Sequence, residues 1–139
     1  MELFISDLDG TLLNGNAEVT EFTRDTLNRL MAKGLNFTAA TARTLASAGK
    51  ILSGLDLKLP VILMNGVLIY DMTEKKYVKI NSLSRELCGL IIGLSKELGL
   101  EPFMYSVSDN QLSTRYERLI SPAMESFYNE LLQVFHAGQ

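Results

Sequence analysis

One stretch constrains this chain more than any other: Leu3-Phe4-Ile5-Ser6-Asp7-Leu8-Asp9-Gly10-Thr11-Leu12-Leu13. An apolar run stops at two acidic residues, one position apart, and a Gly-Thr turn follows. A short apolar run ended by turn residues reads as a buried strand, here residues 3–7. Side chains alternate faces along a strand, so Asp7 and Asp9 are predicted to point the same way. Their shared face lies at the carboxyl end, where open α/β sheets place a ligand crevice. A carboxylate pair there can bind a hard cation and attack a phosphorus. The plainer alternative is a pair of surface acids before a turn. The apolar lead, the Gly-Thr exit and a Thr at the end of the next strand (Thr41) all speak against it.

The rest of the chain follows a strand–helix–strand–helix–strand order. Thr20 is placed to cap a helix from about Glu21 to Lys33, with Phe22, Leu27, Leu30 and Met31 on one side and Gly34 as its stop. Leu35 to Ala40 is a second strand. Thr44 is placed to cap a helix running to about Ser53, and Pro60 opens a third strand, Val61 to Met64. This order predicts parallel strands with helices on the faces. The pattern changes at Asn65-Gly66. A hairpin is predicted from Val67–Tyr70 and Tyr77–Ile80, then an apolar helix over 84–98. A strand over 102–107, an Asp109-Asn110 turn, a strand from Gln111 to Tyr116 and a helix opened by Ser121-Pro122 complete the chain. The fold class is therefore α/β: a partial parallel Rossmann-like core over residues 1–80, followed by a smaller α+β part over 81–139.

Three segments together carry a family resemblance. The run Asp7-Leu8-Asp9-Gly10-Thr11-Leu12-Leu13 resembles the first motif of the haloacid dehalogenase (HAD) superfamily of phosphohydrolases. Thr38-Ala39-Ala40-Thr41-Ala42-Arg43 looks like its second motif, a Thr or Ser closing the second strand. Val61 to Asp71 looks like the strand, Asn-Gly turn and strand of the Cof-type branch. The resemblance covers essentially the whole chain but only about the first half of such a protein, with 81–139 as part of a class IIB cap. It implies a Mg²⁺-dependent phosphatase acting on sugar phosphates or similar small phosphorylated metabolites through an aspartyl-phosphate.

In that reading Asp7 is the candidate nucleophile and Asp9 the candidate general acid and base. Asp7 would bind Mg²⁺ through its carboxylate, and Asp9, as the resemblance implies, through its backbone carbonyl. The Thr41 hydroxyl and the backbone N–H groups of Leu8 and Ala42 would hold the phosphoryl oxygens. Families of this kind usually carry Gly where Ala42 stands, and the small Ala side chain permits the same approach. Arg43 is a substrate contact or a cap for the following helix. Asn65 faces substrate or serves as a plain turn residue. The lone His136, near the chain end, reads as a solvated side chain.

The family's third motif, a Lys, and its fourth, an acidic pair, are not recognisable here. Lys58, Lys79 and Lys96 lack a strand-end setting, and Ser108-Asp109-Asn110 suits a cap turn better. In the family topology two further strands lie beside the first. Without them the strand carrying Asp7 is an open sheet edge, which a second copy or a complementing chain is expected to cover. The alternative from another class is a non-catalytic phosphate-binding or regulatory module derived from such a protein. A phosphorylation receiver domain would need an acceptor Asp after the third strand, where Met64-Asn65 stand.

Composition narrows the partners. A net charge of −3 over 139 residues offers no electrostatic case for nucleic acid or an anionic membrane. The one basic cluster, Lys75-Lys76 with Lys79, reads as a solvated hairpin. No apolar run approaches the roughly 18 residues of a membrane span. The single Cys88 has no disulfide partner and reads as a small core hydrophobe, which fits a reducing, cytoplasmic setting. Met1 leads almost directly into a strand, leaving no expected room for a signal peptide.

Overall fold

The computed structural model describes residues 2–136, with side chains through residue 129. The chain divides into two compact units, Met1–Asn81 and Ser82–Gln139.

In the first unit, β1 (Leu3–Ser6) pairs in parallel with β2 (Asn36–Ala39), Leu3 facing Asn36 and Ser6 facing Ala39. β3 (Val61–Leu63) joins β2 through a single parallel bridge, Ala40 to Ile62. β3 also runs antiparallel to β4 (Leu68–Asp71), which pairs with β5 (Lys76–Ile80). The parallel order predicted from the element sequence is thus present across β1, β2 and β3. Thr38 strengthens the sparse β2–β3 junction: its buried hydroxyl donates to the Pro60 carbonyl at 2.7 Å.

Helix α1 (Glu21–Ala32) begins where Thr20 Oγ1 accepts the Thr23 N–H at 3.2 Å. It ends where Gly34, at φ 101°, turns the chain so that the Leu35 N–H reaches the Leu30 carbonyl. Helix α2 (Leu45–Leu52) starts at Thr44, but the Thr44 side chain accepts no capping bond. Asn28 ties α1 to the loop after α2. It donates to the Gly54 carbonyl and accepts the Asp56 N–H, both at 2.9 Å. At the β4–β5 turn, Asp71 Oδ1 accepts the N–H groups of Thr73 and Glu74, which fixes the reversal.

The core gathers Met31, Phe37, Ala39, Ala48, Leu52, Val61, Leu63 and Leu68 around the middle strands. Leu8, from the turn after β1, is also fully buried. Two expectations fail here. The predicted buried strand over residues 3–7 is half-exposed: Leu3, Phe4 and Ile5 keep 50–55% of their surface. Among the described residues only one of its edges is paired, so the second flank and part of both faces stay open. On α1, Met31 is buried, yet Phe22 is 80% exposed and Leu30 is exposed as well. The helix turns only part of its apolar stripe inward.

The second unit holds α3 (Arg85–Glu97), the hairpin β6 (Met104–Ser108) and β7 (Gln111–Arg115), and α4 (Pro122–His136). Ser84 and Ser121 cap the two helices through their hydroxyls. Asp109 and Asn110 both take left-handed φ, at 50° and 60°, as a two-residue hairpin turn requires. Phe103 packs against Tyr116 and Phe127, and Tyr116 against Tyr128. Lys96 pairs with Glu117 at 2.9 Å, and Arg118 with Glu101. No residue of α3 is buried, so the expected core position of Cys88 is corrected to a half-buried one. The His136 side chain lies outside the described residues. Among the described residues no helix is long and apolar enough to cross a membrane.

Candidate active site

The chain leaves β1 at Ser6 and enters a tight turn over Leu8–Leu12, closed by the Leu13 N–H on the Leu8 carbonyl at 3.0 Å. Gly10 takes φ 73° there, a left-handed conformation that Gly adopts at no steric cost. Asp7 and Asp9 therefore do not owe their placement to strand alternation, because neither belongs to the strand. The turn brings them together: Leu8 drops into the core, and the acids on either side of it line one pocket of about 490 Å³.

The opposite walls come from other elements. Thr41 and Ala42 follow β2, and Asn65 and Gly66 follow β3; all four line the same pocket. Hydrogen bonds hold these two loops to each other. The Thr41 N–H donates to the Ile62 carbonyl, the Asn65 N–H to the Thr41 carbonyl and the Met64 N–H to the Arg43 carbonyl, at 3.0–3.1 Å. Asn65 sits at φ 55° in the turn and also lines the pocket. Thr41 is buried, and its Oγ1 accepts the Arg43 N–H at 3.2 Å. A hydroxyl also carries one donor, which leaves its O–H to offer a bound anion.

Two candidate residues behave differently from expectation. The Leu8 N–H, assigned to an anion nest, instead donates to Asp7 Oδ1 at 2.7 Å. A carboxylate beside the first N–H of a turn is its nearest and strongest acceptor. Arg43 does not line the pocket. Its Nε donates to Asp9 Oδ2 at 2.8 Å and its NH2 to Asp9 Oδ1 at 2.6 Å, a two-pronged ion pair. Hydrogen bonding from that guanidinium holds the Asp9 carboxyl below its ordinary range, against a smaller opposing effect of burial. Asp9 is thus ionised at neutral pH, as a general base must be; to serve as an acid it must take up a proton against the pull of Arg43. Ala40, Ile62 and Gly66 also line the pocket. Each lies inside one of the quoted motifs, Ala40 beside Thr41 and Gly66 beside Asn65, but none carries a side-chain polar group that would have marked it.

The donors on hand are oxygens, which suit Mg²⁺. Asp7 Oδ2 has no partner within the turn, whereas both Asp9 carboxylate oxygens are taken by Arg43. Among the described residues no group of three His, Cys, Asp or Glu side chains forms a ready metal cluster.

Comparison with known proteins follows the same line. A family model described as haloacid dehalogenase-like hydrolase matches residues 4–134. The protein named Putative phosphatase of Buchnera aphidicola subsp. Baizongia pistaciae is 41% identical over 70 residues, covering 50% of this chain and 26% of that one. Putative phosphatase MG265 of Mycoplasma genitalium is 33% identical over 108 residues, covering 76% of this chain and 39% of that one. The HAD subclass IIB sugar phosphatase BT4131 shares the fold, with a TM-score of 0.64 at 19% identity, over 96% of this chain and 50% of that structure. The chain thus spans about half of that structure and less of the two curated relatives. On the match over residues 4–134, the chain belongs to the haloacid dehalogenase-like hydrolase family.

Proposed function

We propose that this chain carries the nucleophile-bearing part of a Mg²⁺-dependent phosphohydrolase acting on small phosphorylated metabolites. One observation carries the reading: Asp7, Asp9 and Thr41, from two separate strand ends, line a single pocket. An Asp7 carboxylate oxygen forms a bond to phosphorus while the bond from phosphorus to the leaving oxygen breaks; Asp9 gives that oxygen a proton. Water then bonds to phosphorus while the bond from Asp7 to phosphorus breaks, Asp9 takes the water's proton, and inorganic phosphate leaves with the Asp7 carboxylate restored. The Thr41 hydroxyl and the Ala42 N–H steady the phosphoryl oxygens. Asn65, on the facing wall, contacts the substrate. Asp7 and the Asp9 carbonyl would hold Mg²⁺, the ion that phosphatases of this superfamily generally use; when bound it neutralises phosphoryl charge. BT4131 is named a sugar phosphatase, which supports a sugar phosphate as the substrate class proposed for this chain. Residues 81–139 serve as part of the cap in this reading, and the cytoplasm is the setting proposed for the work.

The test is turnover of p-nitrophenyl phosphate with Mg²⁺. Hydrolysis that stops on adding EDTA and returns with excess Mg²⁺ is the expected result. Hydrolysis indifferent to EDTA removes the metal from the scheme. The Arg43 ion pair, which engages both Asp9 carboxylate oxygens, favours one competing reading, a phosphate-binding module without turnover. Binding of inorganic phosphate with no hydrolysis at any Mg²⁺ concentration would select it.

The open flank of β1 enters the proposal as well. Leu3, Phe4 and Ile5 form an exposed apolar strand edge, and such edges recruit another strand. We expect a second copy or a complementing chain to cover it. Light scattering across a dilution series should then show a mass above the monomer; a single monomeric mass throughout would oppose the idea.

A further inference from the structure

We infer that Arg43 and Ser47 form a brace that sets the position of the Asp9 carboxylate, so that Arg43 is a positioning residue and not a grip on the phosphoryl group. The inference rests on the hydrolase reading above for its catalytic meaning, though not for its geometry.

The first argument is how Arg43 spends its donors. A guanidinium has five N–H groups in a rigid plane. Two nitrogens, Nε and NH2, donate to the two oxygens of Asp9 at 2.8 and 2.6 Å. The third, NH1, donates to Ser47 Oγ at 2.8 Å. The plane is therefore tied on two sides, to the turn after β1 and to the first turns of α2. Ser47 belongs to the first turn of α2, whereas Arg43 precedes the helix and its Thr44 cap, so the bond ties the loop to the helix.

The second argument is that the residue is anchored at its other end too. Its N–H donates to Thr41 Oγ1, and its carbonyl accepts the Met64 N–H. The third is where the fork points. Asp9 lines the pocket and Arg43 does not. An Arg that grips phosphate presents its fork to the anion; this one presents it to a carboxylate that faces the pocket instead.

Such a brace has a clear use. The Asp9 side chain is half-exposed, and an exposed Asp samples several rotamers. A proton-transfer group must stay within hydrogen-bond reach of the reacting oxygen. Two parallel N–H···O bonds select one placement of both carboxylate oxygens, and Ser47 keeps the fork from swinging away.

The test follows the Arg43 Nε–H resonance in nitrogen-15-labelled protein, assigned by its loss in Arg43→Lys. Asp9→Ala should speed its solvent exchange by at least about tenfold, since an ion-paired N–H is protected. Ser47→Ala should speed it by a smaller factor, and Ser47→Thr, which keeps the hydroxyl, should restore it. Inorganic phosphate with Mg²⁺ should move the Thr41 and Ala42 amide signals and leave the Arg43 Nε–H in place. Where turnover is measured, Ser47→Ala should lower kcat about three- to tenfold with KM nearly unchanged, the mark of misplacement and not of lost binding. An Arg43 signal that shifts in step with Thr41 on adding phosphate would overturn the inference. So would exchange unaltered in Asp9→Ala and Ser47→Ala, or a raised KM at constant kcat in Ser47→Ala. If phosphate moves no amide at all, the phosphate-site reading fails, and the exchange rates alone still decide whether the brace exists.

Discussion

Asp7→Asn should lower hydrolysis of p-nitrophenyl phosphate by at least about a thousandfold while leaving the fold intact, because it removes the anionic nucleophile and keeps the side chain's shape. The substitution keeps shape and volume. The Asn side-chain oxygen can still accept the Leu8 N–H that Asp7 Oδ1 accepts now. The turn, and with it the placement of Asp9, should survive. A neutral amide oxygen, however, is a poor nucleophile toward a phosphate ester. It also binds a divalent cation less well than a carboxylate does. The check is a rate comparison at saturating Mg²⁺, with thermal melts of both proteins run side by side. Equal rates would remove Asp7 from the role of nucleophile. A matched loss of melting temperature would instead trace the effect to folding.

The largest effect on stability should come from Leu8→Ala. Leu8 is fully buried between the two acids, and it is what draws the turn down onto the sheet. Removing a buried Leu side chain costs about 2–5 kcal/mol, out of a total stability of about 5–15 kcal/mol for a typical domain. The change should therefore lower the unfolding midpoint steeply in a denaturant titration. It should also loosen the site, because Asp7 and Asp9 flank the residue that is lost. Phe22→Ala is the natural control. It deletes a larger side chain, but one that is 80% exposed, and surface changes of that kind usually stay within about 0.5 kcal/mol. Equal costs for the two substitutions would mean that Leu8 does not anchor the turn.

Much of this architecture is legible before any coordinates. Helix ends marked by Thr20, Gly34 and Ser121 sit where capping chemistry puts them, since a cap is a local device. The strand-end residues Asp7, Thr41 and Asn65 meet at one pocket, because parallel connections return each strand's carboxyl end to the same rim. What pattern reading misses is long-range or competitive. Arg43 finds Asp9 across 34 positions, a pairing that no periodicity encodes. The Leu8 N–H has two possible acceptors, a ligand or the adjacent carboxylate, and the nearer one takes it. The exposure of Leu3 to Ile5 reflects an unpaired strand flank, and an apolar run looks the same whether or not a neighbour covers it. Thr44 shows the converse: a good cap residue at the right place, with no cap bond formed.

The thin junction between β2 and β3 has a bearing on how such a molecule can change over generations. One strand bridge, the Thr38 hydroxyl and a few backbone hydrogen bonds between the strand-end loops join the two ladders, and the pocket opens at that seam. Residues on its rim, Ala42 and Asn65 among them, sit outside both ladders. Mutation there can reshape the mouth without breaking a strand register. Ligand preference is thus free to drift while the scaffold beneath it is inherited unaltered.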